Sequence, residues 1–272
     1  MTDRLSTVRS ADGTTIAYEE FGSGPPLVLV HGGVSDRTYW APVLPALTER
    51  FTVVCMDRRG RAASGDAPTY SIDRDFEDVA AVVDALEEPA HLAGHSYAGI
   101  CALEAALRTH NLRTLTLYEP ALGFDGPDGI PAEFIDQLDA LVAPGDREAA
   151  VELMMGELVG LSGEMLAELR TDPVAWRSMV DSVHTLPREL RSVATFAFDP
   201  ERYRSIDLPT LLLRGAESSP EMHVGVDLVH HAIPGSRVIT MPGVDHEAVT
   251  TGPDVLSTTL TTELSTKQPT ST

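Results

Sequence analysis

Six short, nearly continuous apolar runs constrain what this chain can fold into, and each stops abruptly. Leu27-Val28-Leu29-Val30 stops at His31-Gly32-Gly33, Thr52-Val53-Val54-Cys55-Met56 at Asp57, and Ala90-His91-Leu92-Ala93 at Gly94. Leu115-Thr116-Leu117-Tyr118 stops at Glu119-Pro120, Thr210-Leu211-Leu212-Leu213 at Arg214-Gly215, and Arg237-Val238-Ile239-Thr240-Met241 at Pro242-Gly243. Such runs suit strands buried on both faces, which is the condition of a parallel sheet. Amphipathic stretches lie between them. Asp73 to Leu86 sets Phe76, Val79, Val82, Val83 and Leu86 at helical spacing, and Ile100 to Leu107 is rich in Ala and Leu. The alternation predicts an α/β chain with a doubly wound, mostly parallel sheet. Near the start, Asp12-Gly13 between alternating residues of Val8 to Phe21 reads as a β-hairpin.

From about Gly123 to Arg204 the rhythm breaks. Helical patterns follow one another (Glu133 to Leu141, Arg147 to Leu158, Glu164 to Leu169, Val174 to Val183, Arg188 to Phe198), punctuated by Pro127, Pro131, Pro144, Pro173 and Pro187. This predicts a helical insertion, residues 123–204, within a core made of residues 1–122 and 205–264. The polar residues 265–272 read as a frayed tail.

Composition narrows the function classes. A hydrophobic fraction of 43% in 272 residues allows one large core. No apolar run approaches the roughly 18 residues of a membrane-spanning helix. Met1-Thr2-Asp3-Arg4 lacks the basic start and apolar stretch of a secretory signal, so a cytoplasmic location is expected. The net charge of −21 disfavours nucleic acid and anionic membranes as partners. The two cysteines, Cys55 and Cys101, sit in strand-like and helix-like runs and read as reduced, buried thiols. Without a CxxC pair or a His/Cys cluster at zinc spacing, no structural metal is expected.

The segment that carries chemistry is Leu92-Ala93-Gly94-His95-Ser96-Tyr97-Ala98-Gly99. A strand runs into a sharp turn and then into a helix, with Ser96 at the tip and small residues two positions to either side. Such a turn exposes the serine Oγ and points a helix N-terminus at the reacting atom, where negative charge develops. It resembles the nucleophile elbow of the α/β-hydrolase superfamily, whose usual form is G-x-S-x-G; here Ala98 holds the last position. His31-Gly32-Gly33 is similar to that family's oxyanion loop, and Met241 to His246 to the loop bearing its catalytic histidine. Asp57-Arg58-Arg59-Gly60-Arg61-Ala62-Ala63-Ser64 resembles its D-x-R-G-x-G-x-S loop, with Ala62 in place of glycine. That loop reads as structural, its Arg and Asp pinning neighbours by charge-assisted hydrogen bonds.

The resemblance implies an α/β-hydrolase fold with an inserted helical cap. It implies Ser96 as nucleophile, His246 as general base, and the Gly33 and Tyr97 N–H groups as oxyanion donors. It implies no metal or organic cofactor. His95 reads as a packing or hydrogen-bonding residue, and His223, His230 and His231 as surface residues. The acid is open. The family usually carries an Asp about three residues after the glycine that ends the seventh strand, but Ser218 stands there, with Glu217 one position early. Glu119, ending the preceding strand, is preferred because it sits in the crevice where ligands bind. A serine–histidine dyad is the third option. The expected substrate is a small, mostly apolar ester, thioester or lactone. Met154, Trp176 and Phe198 of the insertion and Trp40 of the core are the expected pocket walls. Alternatives on the same fold are C–C hydrolysis, cofactor-free lyase, perhydrolase or cyclase chemistry, or binding without turnover.

Overall fold

The computed structural model describes residues 4–124 and 129–265. Its centre is an eight-stranded sheet: β1 (Arg4–Arg9), β2 (Thr15–Gly22), β3 (Pro26–Val30), β4 (Thr52–Met56), β5 (Ala90–His95), β6 (Leu112–Tyr118), β7 (Thr210–Gly215) and β8 (Arg237–Met241), in the spatial order 1-2-4-3-5-6-7-8. The predicted hairpin is β1–β2, which adds antiparallel to β4; the remaining pairings are parallel.

The helices are α1 (Leu44–Leu47), α2 (Ile72–Asp84), α3 (Tyr97–Ala105), α4 (Ala132–Val142), α5 (Arg147–Leu153), α6 (Gly163–Leu169), α7 (Pro173–Ser182), α8 (Leu186–Thr195), α9 (Pro200–Tyr203), α10 (Pro220–Ala232), α11 (Ala248–Thr251) and α12 (Pro253–Ser265). Prolines open helices here rather than break them: Pro173, Pro200 and Pro220 stand in the first turns of α7, α9 and α10, where the missing N–H costs nothing. The stretch read as one helix from Arg147 to Leu158 is divided; its last turn, Met154–Leu158, is π-helical. Ser265, expected in the tail, closes α12, and residues 266–272 lie outside the described residues, as does Pro127.

The pleat explains why the strands read as continuous apolar runs. Val28 and Val30 of β3 enter a core shared with α2, α3 and α10, while Leu27 and Leu29 enter a second core beneath the sheet with α1 and α12. A third cluster joins Val34, just after β3, to Phe134, Ile135, Leu138, Val151, Val183, Leu186 and Leu190 of the helices between β6 and β7. Those helices therefore sit over the β3 end of the sheet. Strand order reverses at β3: β4 lies on one side of it and β5 on the other. In open α/β sheets, ligands bind outside the carboxyl ends of the strands at such a switch point.

Candidate active site

Ser96 follows β5 at this switch point with φ 56° and ψ −122°, a left-handed backbone that non-glycine residues rarely adopt. Close packing holds the strain. The Ser96 N–H donates to the Tyr118 carbonyl (3.0 Å), and the Ser96 carbonyl accepts from Gly99 and Ala121. A Cβ at Gly94 would lie 2.3 Å from the Ala98 carbonyl, so only glycine fits there. Ala98 is itself fully buried without hindrance, and the close approach passes to Gly99, where a Cβ would meet Pro120 at 2.7 Å. The shift from glycine to alanine at position 98 is thereby accommodated.

The loop after β3 folds against this turn. A Cβ at Gly32 would lie 3.1 Å from Ser96 Cβ. Gly32 is buried, whereas Gly33 is partly open. Among the described residues, neither the Gly33 N–H nor the Tyr97 N–H meets a hydrogen-bond acceptor. Ser96 Oγ likewise makes no hydrogen bond among them; in unliganded sites such contacts often tighten only with substrate bound.

His246 arrives from the loop after β8. Its Nδ1–H donates to Glu119 Oε2 (2.6 Å), and the Gly215 N–H donates to Glu119 Oε1 (2.8 Å). Glu119 is fully buried, at φ 40°, where β6 ends. Burial by itself raises its pKa, but the His246 hydrogen bond, the nearby Ser218 hydroxyl and the Gly215 N–H outweigh that and lower it. Ser218 stands beside the carboxylate without a well-directed hydrogen bond of its own. For His246, burial favours the neutral ring, but the Glu119 hydrogen bond and the charge of Glu247 raise its pKa on balance. Glu217 is exposed, with only its backbone N–H tied to the loop of the histidine, at the Val244 carbonyl. Of the two glutamates, the structure brings Glu119 to His246 and leaves Glu217 out.

His95 lies against His246. Its Nε2–H donates to the His246 carbonyl (2.9 Å), and the two rings lie 4.5 Å apart. Burial and the neighbouring His246 hold its pKa well below the usual range, so it stays neutral. Tyr118 fastens the same loop through a hydrogen bond from its hydroxyl to the Asp245 carbonyl. Ligand atoms of His95, His246 and Glu247 lie within 4.8 Å of one another.

The Asp57–Ser64 loop behaves as a clamp. Asp57 accepts from the Arg37 side chain and the Ala63 N–H. Ala62 takes φ 42°, which explains why glycine is the usual residue there. Arg58, Arg59 and Arg61 are each about 1% exposed. Arg59 pairs with Asp78 and Asp12, whereas Arg58 and Arg61 turn toward the loop after β3.

A family model described as the alpha/beta hydrolase family matches residues 27–258. The chain belongs to the alpha/beta hydrolase family. An alpha/beta hydrolase from Sphaerobacter thermophilus is 37% identical, with 95% of this chain and 100% of that one covered and a TM-score of 0.82. The 2-(acetamidomethylene)succinate hydrolase of Mesorhizobium japonicum is 26% identical over 255 residues, 89% of this chain and 88% of the relative. The 2-hydroxy-6-oxo-2,4-heptadienoate hydrolase of Pseudomonas putida is 29% identical over 221 residues, covering 76% and 77%. This alpha/beta hydrolase is accordingly an enzyme of hydrolase type.

Two of the expected pocket walls need correction. Trp40 is 2% exposed and packs in the core with Leu27, Leu29, Val43 and Leu47: its 3-10 turn lies beside the site, where Tyr39 stacks on His95, but the Trp40 ring turns down into the core. Phe198 stacks on Tyr203 (5.0 Å), whose hydroxyl donates to Glu104, two turns of α3 beyond Ser96. Met154 and Trp176 pack in the third cluster, and Arg170 lies over the Trp176 ring. An open cleft of about 380 Å³ lies where the inserted helices meet the core, but it is lined by Phe76, Glu104, Phe196 and Arg202, without Ser96, Gly33 or His246. No helix among the described residues is long and apolar enough to cross a membrane. Both cysteines are free and buried.

Sequence reasoning missed His223. Its Nε2–H donates to the Gly215 carbonyl (2.9 Å), and Nε2 lies 3.9 Å from Glu119 Oε1. It also missed Glu189, a buried acid on α8. A signal existed there: position 189 falls on the same helical face as Leu186, Leu190 and Val193, where an acid is out of place unless paired.

Proposed function

We propose that this alpha/beta hydrolase is a serine hydrolase that cleaves a carboxylic ester, thioester or lactone of a small, mostly apolar molecule through an acyl-enzyme on Ser96. The observation that carries the reading is the 2.6 Å hydrogen bond from His246 Nδ1 to Glu119. That bond places the ring proton on Nδ1 and leaves Nε2 as the basic nitrogen. His246 takes the Ser96 proton as Oγ attacks the carbonyl carbon, and the resulting imidazolium is stabilised by the buried Glu119 carboxylate. The Gly33 and Tyr97 N–H groups, without acceptors of their own among the described residues, receive the oxyanion. His246 then protonates the leaving alcohol or thiol, and afterwards activates water to release the acid. In this reading residues 123–204 form a cap on a core of residues 1–122 and 205–264, Met154 and Trp176 are its candidate substrate contacts, and the partner is a small molecule.

A fluorophosphonate probe tests the activated serine. Labelling at Ser96, lost in Ser96→Ala together with ester turnover, is the expected result; absence of labelling in folded wild type overturns it and favours binding without turnover. The second reading is carbon–carbon hydrolysis, supported by the named activity of the Pseudomonas putida relative. It predicts turnover of a vinylogous diketone with no turnover across a panel of simple esters.

A further inference from the structure

The oxyanion loop is held from behind by buried charge. The Gly32 carbonyl accepts from Arg58 Nη2 (3.0 Å) and Arg61 Nη1 (3.2 Å), and the His31 carbonyl accepts from Arg58 Nε (3.1 Å). Both guanidinium groups converge on Glu189 of α8: Arg58 Nη2 reaches Oε2 at 3.0 Å, and Arg61 Nη2 reaches Oε1 at 2.8 Å. Thr185, just before α8, accepts from Arg61 Nη2 at 2.8 Å. Leu186, the first residue of α8, lies 3.9 Å from where a Cβ on Gly33 would stand.

The same charges reach the other half of the candidate hole. Arg58 lies 4.5 Å over the Tyr97 ring. The Tyr97 hydroxyl donates to Asp75 Oδ2 (3.1 Å), and Asp75 Oδ1 pairs with Arg58 at 3.7 Å. Arg58, Arg61, Asp75 and Glu189 are all nearly inaccessible to solvent. Burying four charges is costly, and replacing such a group with apolar residues is often neutral or stabilising. Stability alone therefore gives little reason for the arrangement.

Peptide geometry supplies another reason. Gly32 C=O and Gly33 N–H belong to one peptide plane and point in opposite directions across a trans bond. Two cations pulling on the carbonyl turn the Gly33 N–H the other way and draw electron density from it, making it a stronger donor. We propose that Arg58 and Arg61, clamped by Glu189 from the inserted helix α8, are positioning residues that orient and polarise the Gly33 N–H as an oxyanion donor. Docking of α8 on the core thus assembles the hole, and the insertion acts on the chemical step as well as on access. This rests on the acyl-transfer reading above.

The test compares Arg61→Met with wild type for kcat and KM on a short p-nitrophenyl ester, and for inhibition by a trifluoromethyl ketone that forms a tetrahedral adduct. Losing an oxyanion donor outright costs about 100- to 1000-fold in kcat; a donor left in place but misaimed is expected to cost about 10- to 100-fold. KM should stay within about threefold, and trifluoromethyl ketone affinity should fall in step with kcat/KM, as expected for an interaction made in the transition state. Arg59→Met is the control, a buried arginine of the same loop that holds Asp78 and Asp12 instead. It should lose stability but keep kcat. If Arg61→Met does not fold, Thr185→Val carries the test with a smaller fall, about threefold. Unchanged kcat in the folded variant, or an equal fall in Arg59→Met, overturns the assignment. Ser96→Ala runs in parallel: if it retains turnover the acyl-transfer reading fails, whereas its inactivity beside an Arg61→Met of unchanged kcat sinks the positioning role alone.

Discussion

Replacing Glu119 with glutamine changes one atom and removes one charge, and the structure dictates which way the new amide must face. The Gly215 N–H donates to Oε1, so the amide oxygen has to occupy that place. The reverse orientation would set an NH2 against an N–H in a fully buried site, at a cost of about 1–3 kcal/mol. The amide nitrogen then faces His246 Nδ1 as a donor. The imidazole must accept on Nδ1 and carry its proton on Nε2, the nitrogen that has to receive the Ser96 proton. Both the tautomer and the counter-charge for the imidazolium are lost. A wrong-tautomer substitution of this kind lowers kcat about 10⁴-fold, equivalent to about 5 kcal/mol of barrier. The measurement is steady-state hydrolysis of a short p-nitrophenyl ester, with circular dichroism and thermal melting to establish folding. Glu217→Gln, at an exposed position, should stay within about twofold of wild type. A folded Glu119→Gln retaining a tenth or more of wild-type kcat would refute the reasoning, most clearly if Glu217→Gln were the variant that failed.

Five further outcomes are expected. Ser96→Ala should lower turnover by about 10⁶-fold while leaving the melting temperature close to wild type, measured by the same ester assay and calorimetry. Turnover requires neutral His246, whose pKa is raised above the ordinary value of 6.5, so the acid limb of kcat/KM should have its midpoint above pH 6.5, with activity falling as pH drops through it. Glu247→Gln removes one of the charges that raise that pKa and should move the limb to lower pH; a limb that stays put or moves up contradicts the assignment. His223→Ala should reduce kcat only about fivefold, the worth of one hydrogen bond on the Gly215 peptide, and a loss as large as that of Glu119→Gln would make His223 part of the chemistry. Phe198→Ala should cost about 2 kcal/mol of stability, read by urea titration, and leave the ester-size profile unchanged, because its ring stacks on Tyr203.

The strands were legible because a two-sided core demands unbroken apolar sequence, and that demand is strict at β3, where every residue is buried and apolar; β5 is as buried but admits His91, whose ring bonds Thr114. The inserted helices were legible through their spacing and opening prolines, but not the π-helical turn at Met154, which shares its apolar pattern with an ordinary helix. Ser96 and His246 stood out because each follows a recognisable strand end. The acid was ambiguous for a physical reason: Glu119 and Glu217 both leave strand ends, and only the packing of β6 beside β7 decides which carboxylate reaches the histidine. Trp40 was misplaced because a bulky ring after a loop reads the same whether it turns above the sheet or below it. Glu189 stood out of place on the apolar face of α8, but its partners could not be named, since Arg58 and Arg61 lie more than a hundred residues away in sequence.

With Glu119 rather than Glu217 against His246, most side chains of the segment leaving β7 stand apart from that pair, Ser218 excepted. Ala216, Glu217 and Ser219 are exposed, and two backbone hydrogen bonds, from Ala216 to Met241 and from Glu217 to Val244, hold the segment without help from their side chains. Beside the loop that carries His246 there is thus a stretch of surface open to experiment by evolution or by an engineer. A recognition loop, a tether or a reporter grafted there would stand next to that loop without displacing a side chain that holds it.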